Sequence, residues 1–252
     1  MKTILMAAAA LTAAVPAYAQ GGMIGGGANT ANLVVNGDFS NGATGFTSQY
    51  QVRNPGPNAG LTEGIYIVDT NSANVHPEWL SLIDHTTGSG KYMIVNGATS
   101  QSAGQSRVVW EQSIGVQQGN VYFFEAFAAN ICCKPSFQGV RNSSDLTFQV
   151  INGFQTTTLN TFNTGTVPAG QWQGLSNTYF VGGEVTRVTL RILNSNLTAE
   201  GNDFALDDIR FSTRSLVNPI PEPATWAMMI AGFGLVGGAV RRRTPAARGI
   251  AA

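Results

Sequence analysis

The chain is poor in charged residues, cysteine and histidine. Only 11% of its 252 residues are charged, and it contains two cysteines and two histidines. Two cysteines exclude the dense disulfide framework by which many small secreted scaffolds are stabilised. The fold must therefore be stabilised mainly by burial of apolar side chains, and the chain is long enough to form a sizeable core.

Lysine and arginine are especially sparse between the two ends of the chain. Leaving out five basic residues and one acidic residue near the termini, the body carries nine basic and 13 acidic residues, a net charge of −4. Nucleic-acid-binding domains need clustered lysine and arginine. The body has no such cluster, so we predict no nucleic-acid partner.

Recognisable catalytic motifs are missing as well. His76 and His85 share a polar segment with Glu78 and Asp84, but their spacing matches no HExxH-type metal site. We interpret this segment as a loop with exposed polar side chains, and we predict that the protein is not an enzyme. A glycan hydrolase or lyase that uses body carboxylates is the alternative. Glu125, set among phenylalanines, is either a buried, hydrogen-bonded carboxylate or a residue at a pocket mouth.

The N-terminus has the layout of a secretory signal peptide. Lys2 supplies a positive charge, residues 4–15 form an apolar run, and Ala17-Tyr18-Ala19 fits the cleavage pattern. The run is shorter than the roughly 18 apolar residues of a spanning helix. We predict a signal peptide over residues 1–19, with cleavage between Ala19 and Gln20.

The C-terminus contains an uncharged stretch of 15 residues between Trp226 and Val240. This length is marginal for a membrane span of about 20 residues. Arg241-Arg242-Arg243 follows at once, as in a positive-inside stop, and Trp226 has the position of an interfacial aromatic. The glycine-rich stretch predicts a short helix over 226–240 that crosses the membrane transiently and is removed by processing.

The order of these parts resembles the PEP-CTERM sorting signal in its PEPxxWA variant. The residues that carry the resemblance are Pro221, Glu222, Pro223, Trp226, Ala227, Arg241, Arg242 and Arg243. The resemblance implies recognition by an exosortase, an integral membrane enzyme of Gram-negative bacteria that make exopolysaccharide. It also implies export through the inner membrane, residence in the cell envelope or extracellular matrix of a biofilm, and a sorting signal over 221–243 before a cytoplasmic tail, 244–252.

Residues 32–212 read as one β-domain between a flexible leader, 20–31, and a linker, 213–220. Val188, Leu190 and Ile192 alternate with polar neighbours, which indicates a strand with one wet face. The other strand-like runs are 33–35, 64–68, 91–95, 107–114, 121–128, 146–151 and 204–211. We find no helical pattern here, and about ten strands at this spacing predict an all-β sandwich or barrel.

The body resembles the galactose-binding-like jelly rolls of the carbohydrate-binding-module 4/9 and DUF642 families. It opens with NLVVNGDFSNGATGF and closes with NDFALDDIRF, and DHTTGSGKYMIVNG and VVWEQSIGVQQGNVYFFEAFAAN lie between them. Such domains open on an NGDFE-like turn and close on a strand with adjacent aspartates. Ser40 stands here in place of the usual glutamate. The resemblance implies a jelly-roll β-sandwich.

Asp207 and Asp208 are the candidate metal ligands. Only one of two neighbours in a strand can face the interior, and a buried carboxylate needs a partner or a metal. The resemblance implies a possible structural calcium ion at this position, near the opening turn, where Asp38 could contribute an oxygen. The alternative is that the two aspartates cap the strand end and accept hydrogen bonds from backbone amides.

Cys132 and Cys133 are adjacent in a chain predicted to be exported into an oxidising compartment. Their Cα atoms are closer than in ordinary disulfides, but vicinal disulfides exist. We favour such a bond, which would stiffen the loop after the strand that begins at Val121. Two free thiols or an intermolecular bridge are the alternatives.

Trp79, Trp172, Tyr50 and Tyr66 are the candidate ligand platforms, because sugar binding needs aromatic faces and a few orienting polar groups. Each could instead belong to the core, as we expect for Trp110. Together these features predict a secreted, non-enzymatic surface or matrix protein that binds exopolysaccharide or another glycan. A structural adhesin that binds protein is a further alternative.

Overall fold

The computed structural model describes residues 31–100, 107–198 and 200–217, together with Phe233. These residues form ten strands and two 3-10 helices. The strands are β1 Gln51–Val52, β2 Ile65–Asp69, β3 Tyr92–Asn96, β4 Val108–Gly115, β5 Val121–Asn130, β6 Asp145–Asn152, β7 Gln155–Asn163, β8 Gln173–Phe180, β9 Arg187–Asn194 and β10 Asp203–Ser212. The 3-10 helices are Ser72–Asn74 and Thr164–Thr166. The predicted signal peptide, the leader up to residue 30, the sorting signal except Phe233, and the tail lie outside the described residues.

Two sheets pack face to face. A six-stranded sheet has the order β1-β2-β3-β10-β5-β8, and a four-stranded sheet has the order β4-β9-β6-β7. All pairs are antiparallel except the short parallel pair β1–β2. From β3 to β10, the chain alternates between the sheets except at the β6–β7 hairpin, which is the strand order of a jelly roll. The predicted all-β jelly-roll sandwich is confirmed.

The main core lies between the inner faces of the two sheets. Val188, Leu190 and Ile192 of β9 are buried, as the alternation predicts. Phe124 of β5 meets Phe148 of β6 edge to face, with ring centroids 4.8 Å apart. This contact joins the two sheets, and aromatic pairs of this geometry stabilise a core beyond their buried area.

A second apolar cluster covers the outer face of the six-stranded sheet. Residues 70–91, the connection from β2 to β3, place Trp79 and Leu82 over Ile67 and Ile94. The hydroxyl of Tyr92 accepts a hydrogen bond from the Ser72 amide at 2.6 Å and donates to the Leu82 carbonyl at 2.7 Å. The connection is therefore packed against the sheet and forms part of the domain. Among the described residues, no helix has the length and apolar character to cross a membrane.

Several features differ from the sequence-based prediction. Residues 33–35 form no strand, although the Leu33 amide donates to the Phe211 carbonyl at 2.9 Å beside the end of β10. β7 and β8 were not predicted. β7 is an edge strand rich in threonine and asparagine with most side chains exposed, and β8 is an edge strand of the other sheet that contains glycine, serine and asparagine. The described part of the predicted linker, 213–217, includes a docked segment in which Ser215 is buried.

Candidate functional site

A cavity of about 170 Å³ opens at one end of the six-stranded sheet, where β3 ends and β10 begins. Its lining comes from residues 61–63 before β2, the end of β3 at 96–97, the 76–79 loop, the 132–137 loop and residues 198–203. Four acidic residues and one histidine line it: Glu63, Glu78, Glu200, Asp203 and His76. The jelly-roll connections bring these distant residues together.

One wall of the cavity is apolar. It contains the disulfide between Cys132 and Cys133, together with Phe137 and Trp79. The segment after β5 is held on the outer face of the sheet, because Cys132 forms an isolated antiparallel bridge with Trp79. The Cys132 amide also donates to Asn130 Oδ1 at 2.9 Å.

Arg141 organises the loop that carries Phe137. Its guanidinium donates to four backbone carbonyls, those of Cys133 at 3.2 Å, Lys134 at 2.9 Å, Pro135 at 3.4 Å and Phe137 at 3.1 Å. Arginine suits this role because its planar head presents five donors in fixed directions. The loop therefore has a defined shape although it contains no regular secondary structure between 134 and 141.

Asp203 provides the buried acid of the cavity. Its Oδ2 accepts a hydrogen bond from Trp79 Nε1 at 3.0 Å, and its Oδ1 accepts a longer one from the Gly97 amide at 3.4 Å. Burial outweighs these bonds and raises the pKa of Asp203 to about 6. Hydrogen bonds to the charged form oppose this rise.

His76 forms part of the cavity rim. Its ring stacks on Trp79 with centroids 4.6 Å apart, and its Nδ1 accepts from the Glu78 amide at 3.1 Å. Desolvation lowers the pKa of His76. The imidazole is therefore favoured in the neutral form, with its proton on Nε2.

The chemistry of the lining favours a small ligand rich in hydroxyl or amine donors. The carboxylates accept hydrogen bonds, whereas the disulfide and Phe137 offer an apolar surface. The lining contains no lysine or arginine, so an anionic ligand would meet uncompensated negative charge. Since typical ligand pockets span roughly 300–1,000 Å³, this smaller cavity suits one ring or one chain end.

The predicted aromatic platforms mostly belong to the cores. Tyr50 and Tyr66 are buried in the main core, and Trp79 is buried beneath His76. Tyr50 and Tyr66 thus contribute to the core, whereas Trp79 also lines the cavity. Their role as ligand platforms stays a prediction. Trp172 is half-buried against the second apolar cluster, and its Nε1 donates to the Ile83 carbonyl at 2.9 Å.

Trp172 belongs instead to a separate aromatic group on the outer face of the six-stranded sheet. Its ring lies edge-on to His85, with centroids 6.0 Å apart, and His85 stacks on Phe127 at 3.5 Å. His85 Nδ1 lies 2.7 Å from Asp208 Oδ2. Neither Trp172 nor His85 lines the cavity, so the structure separates them from the site described above.

Asp207 and Asp208 both reach the 84–87 loop. A register shift between Asp207 and Arg210 and a positive φ of 48° at Asp208 interrupt the alternation assumed from the sequence. Asp207 Oδ2 accepts from the His85 amide at 2.8 Å, and Asp208 Oδ1 accepts from the Thr86 hydroxyl at 2.8 Å. Burial raises the pKa of Asp207 to about 7.

In the structure, these residues are arranged more as capping residues than as ligands of a shared calcium ion. The carboxylates of Asp207 and Asp208 are surrounded by N–H and O–H donors, whereas calcium needs a cage of oxygen lone pairs. The Asp38 carboxylate accepts from Ser40, at 3.0 Å from its hydroxyl. Within the described ranges, no group of three or more His, Cys, Asp or Glu side chains is placed to hold a metal. The contacts agree better with the capping alternative.

Glu125 lies away from the cavity. It is 1% exposed, and its partners are donors from β8 and from residues 215–217. The sequence allowed Glu125 to be either a buried, hydrogen-bonded carboxylate or a residue at a pocket mouth. The structure shows the buried, hydrogen-bonded carboxylate. Sequence reasoning did not single out Glu63, Glu200, Phe137 or Asp203 as site residues, because their proximity arises only from the fold.

Comparison with known proteins identifies the C-terminal segment. Residues 219–243 match the PEP-CTERM protein-sorting motif. The predicted sorting signal is therefore confirmed, and it indicates a secreted protein sorted to the cell envelope or beyond. No curated protein matches the chain.

Solved structures give distant likenesses. The tandem CBM22-1–CBM22-2 domain of Paenibacillus barcinonensis Xyn10C is 14% identical, with a TM-score of 0.45, over 74% of this chain and 47% of that one. A xylan-binding domain from CBM22 is 12% identical, with a TM-score of 0.41, over 78% of this chain and 100% of that one. The CBM22-1–GH10 chain of Clostridium thermocellum xylanase 10B is 14% identical, with a TM-score of 0.43, over 75% of this chain but only 29% of that one. With these low scores, the jelly-roll assignment depends on the strand order itself.

Proposed function

We propose that this protein is a secreted, non-enzymatic glycan-binding protein of the cell surface or extracellular matrix. The observation that carries the proposal is the cavity, which combines an apolar wall of disulfide and Phe137 with carboxylate acceptors. Carbohydrate rings offer apolar C–H faces and hydroxyl donors, so both kinds of surface have a partner. Carbohydrate-binding modules among the similar structures make this ligand class a natural first choice.

The sorting motif supports the proposed location. An exosortase-type enzyme would act at the motif after export through the inner membrane, with the membrane contacted transiently by the segment 226–240. The protein would then meet the host's exopolysaccharide, which we propose as its glycan. The charge of the cavity narrows this choice to a neutral or amine-bearing sugar, because a uronic acid would add a negative charge beside Glu63, Glu200 and Asp203.

Calorimetry with the mature protein purified from its host tests the proposal. The probes are the host exopolysaccharide and neutral, amino-sugar and uronic-acid oligosaccharides. We expect binding to the first three classes and at least tenfold weaker binding of the uronic acids. Phe137→Ala and Glu63→Gln should weaken binding, whereas Glu184→Gln, which removes an exposed carboxylate outside the cavity, should not.

Two results would contradict the proposal in different ways. If no probe binds, glycan binding itself is wrong, and a protein-binding adhesin becomes the better hypothesis. If glycans bind but the Phe137 and Glu63 variants match the wild type, the cavity is not the site.

Glycan hydrolysis is a second candidate, favoured by one observation. Asp203 has a pKa of about 6 in a cavity with other carboxylates, and glycosidases use a carboxylic acid of raised pKa as a proton donor beside an ionised partner. Reducing-end assays on the same oligosaccharides decide the matter. Turnover that Asp203→Asn abolishes would establish the enzyme, and binding without turnover would favour the binding protein.

A further inference from the structure

Four donors converge on the buried carboxylate of Glu125 in β5. Oε1 accepts from the hydroxyls of Ser176, at 2.8 Å, and Ser215, and from the Val217 amide at 3.4 Å. Oε2 accepts from the Leu216 amide at 2.8 Å. Ser176 belongs to neighbouring β8, but the other three donors belong to the chain after β10. We call residues 215–217 the exit segment.

The packing around the exit segment agrees with these hydrogen bonds. Ser215 is 3% exposed. Gly174 in β8 leaves room for Val217, because a Cβ at position 174 would lie 2.9 Å from Val217 Cγ1. A carboxylate with several N–H and O–H donors forms strong, charge-assisted bonds. The exit segment is thus attached to the outer face of the six-stranded sheet.

This attachment determines how far the sorting motif can reach from the folded domain. The motif begins at residue 219, so only residue 218 separates it from the exit segment. Pro221 is four positions beyond Val217, which allows about 14 Å of fully extended chain. If the exit segment were released, nine positions would separate Ser212 from Pro221, and the allowed span would rise to about 31 Å.

We propose that Glu125 is a positioning residue for processing at the sorting motif. Its carboxylate holds the exit segment on the domain and thereby restrains the motif close to the folded surface. The folded domain then lies close to the motif and sterically hinders access by the membrane enzyme. Release of the exit segment lets the motif extend further from the domain. This inference depends on the proposed exosortase-type processing, but not on glycan binding.

Processing of the full-length chain in its host provides the test. Pulse-chase labelling follows conversion of the precursor to the mature form in the wild type, Glu125→Ala, Ser215→Ala and Ser176→Ala. Ser176→Ala is the matched control, because it also removes a hydroxyl donor to Glu125 but leaves the exit segment unchanged. We expect several-fold faster conversion for Glu125→Ala, a smaller increase for Ser215→Ala and no change for Ser176→Ala.

Hydrogen exchange on full-length precursor in detergent separates attachment from folding. The Leu216 and Val217 amides should be protected in the wild type and Ser176→Ala but exposed in Glu125→Ala, while the amides of β5 and β10 remain protected. Released amides combined with unchanged or slower conversion would overturn the proposal, as would amides unprotected in the wild type. If the wild type is never processed, the proposed processing fails, whereas the exchange data still report on the attachment.

Discussion

The indole nitrogen of Trp79 donates a hydrogen bond to Asp203 across 124 positions of sequence, at 3.0 Å. Trp79 comes from the connection that covers the six-stranded sheet, and Asp203 begins β10. The bond therefore attaches the covering connection to the sheet at the cavity. It also supplies the main hydrogen bond to the carboxylate of Asp203, a residue that is 8% exposed.

Replacing Trp79 by phenylalanine should destabilise the domain measurably. The change leaves Asp203 with only the long bond from Gly97, and an unsatisfied buried polar group costs about 1–3 kcal/mol. We expect the free energy of unfolding in urea to fall by about 2–3 kcal/mol. Trp172→Phe is the control, since its indole bond at the half-buried edge should matter less. Equal losses in the two variants would contradict this assignment.

Stability should decline as the pH rises from acidic to mildly alkaline values. Burial raises the pKa of Asp207 to about 7 from an ordinary value of 3.8. A group with a raised folded pKa stabilises fully below its unfolded pKa, and this contribution is lost as the pH rises through the folded value. The window is therefore about pH 4 to 7, and the shift corresponds to at most about 4 kcal/mol.

Urea unfolding of the wild type and Asp207→Asn between pH 5 and 8 measures this effect. The variant should lose most of the decline, because its amide does not ionise. Asp203→Asn should remove a smaller part, since Asp203 has a pKa of about 6. Asp38→Asn, which removes a partly exposed carboxylate elsewhere in the domain, serves as the control. If the free energy of unfolding falls equally with pH in the wild type and in Asp207→Asn, Asp207 does not cause the decline.

The strand pattern was predictable because burial alternates along single strands. The alternation of Val188, Leu190 and Ile192 alone predicts β9, and turn residues separate the strand-like segments from one another. β7 and β8 were not predicted. In β7 the edge position leaves threonine and asparagine exposed, and in β8 glycine, serine and asparagine interrupt the apolar alternation. The cavity was not predictable either. Trp79 and Asp203 meet only because the jelly-roll strand order places β10 beside β3 and folds the β2–β3 connection over both.

Arg141 should be needed for binding more than for folding. Lysine keeps the charge but lacks the planar set of donors that contacts four carbonyls in the 133–137 segment. We expect Arg141→Lys to loosen the loop that carries Phe137 and to weaken glycan binding several-fold. The free energy of unfolding should change by less than about 1 kcal/mol, because the loop lies at the surface. Hydrogen exchange of residues 134–139 is the direct check, and unchanged exchange would contradict the role.

Calcium should have little effect on the domain. Asp207 and Asp208 already accept hydrogen bonds from the His85 amide and the Thr86 hydroxyl. We therefore expect the melting temperature to be the same in calcium and in chelator. An ion bound at 100 times its dissociation constant would stabilise the fold by about 2.7 kcal/mol. A rise of that order, abolished in Asp208→Asn, would restore the calcium site predicted from the sequence.

The Cys132–Cys133 disulfide should matter for binding rather than for stability. It joins neighbouring residues, and a disulfide restricts the unfolded chain less as its loop becomes shorter. Loop-closure entropy gives about 1 kcal/mol for such a pair, against about 3 kcal/mol for a 15-residue loop. Because both cysteines line the cavity, mild reduction should weaken glycan binding several-fold while the melting curve shifts little. Calorimetry before and after reduction, with thiol labelling to verify the reduced state, measures both effects. Undiminished binding by the reduced protein would remove the disulfide from the proposed site and leave Phe137 as the apolar surface to test.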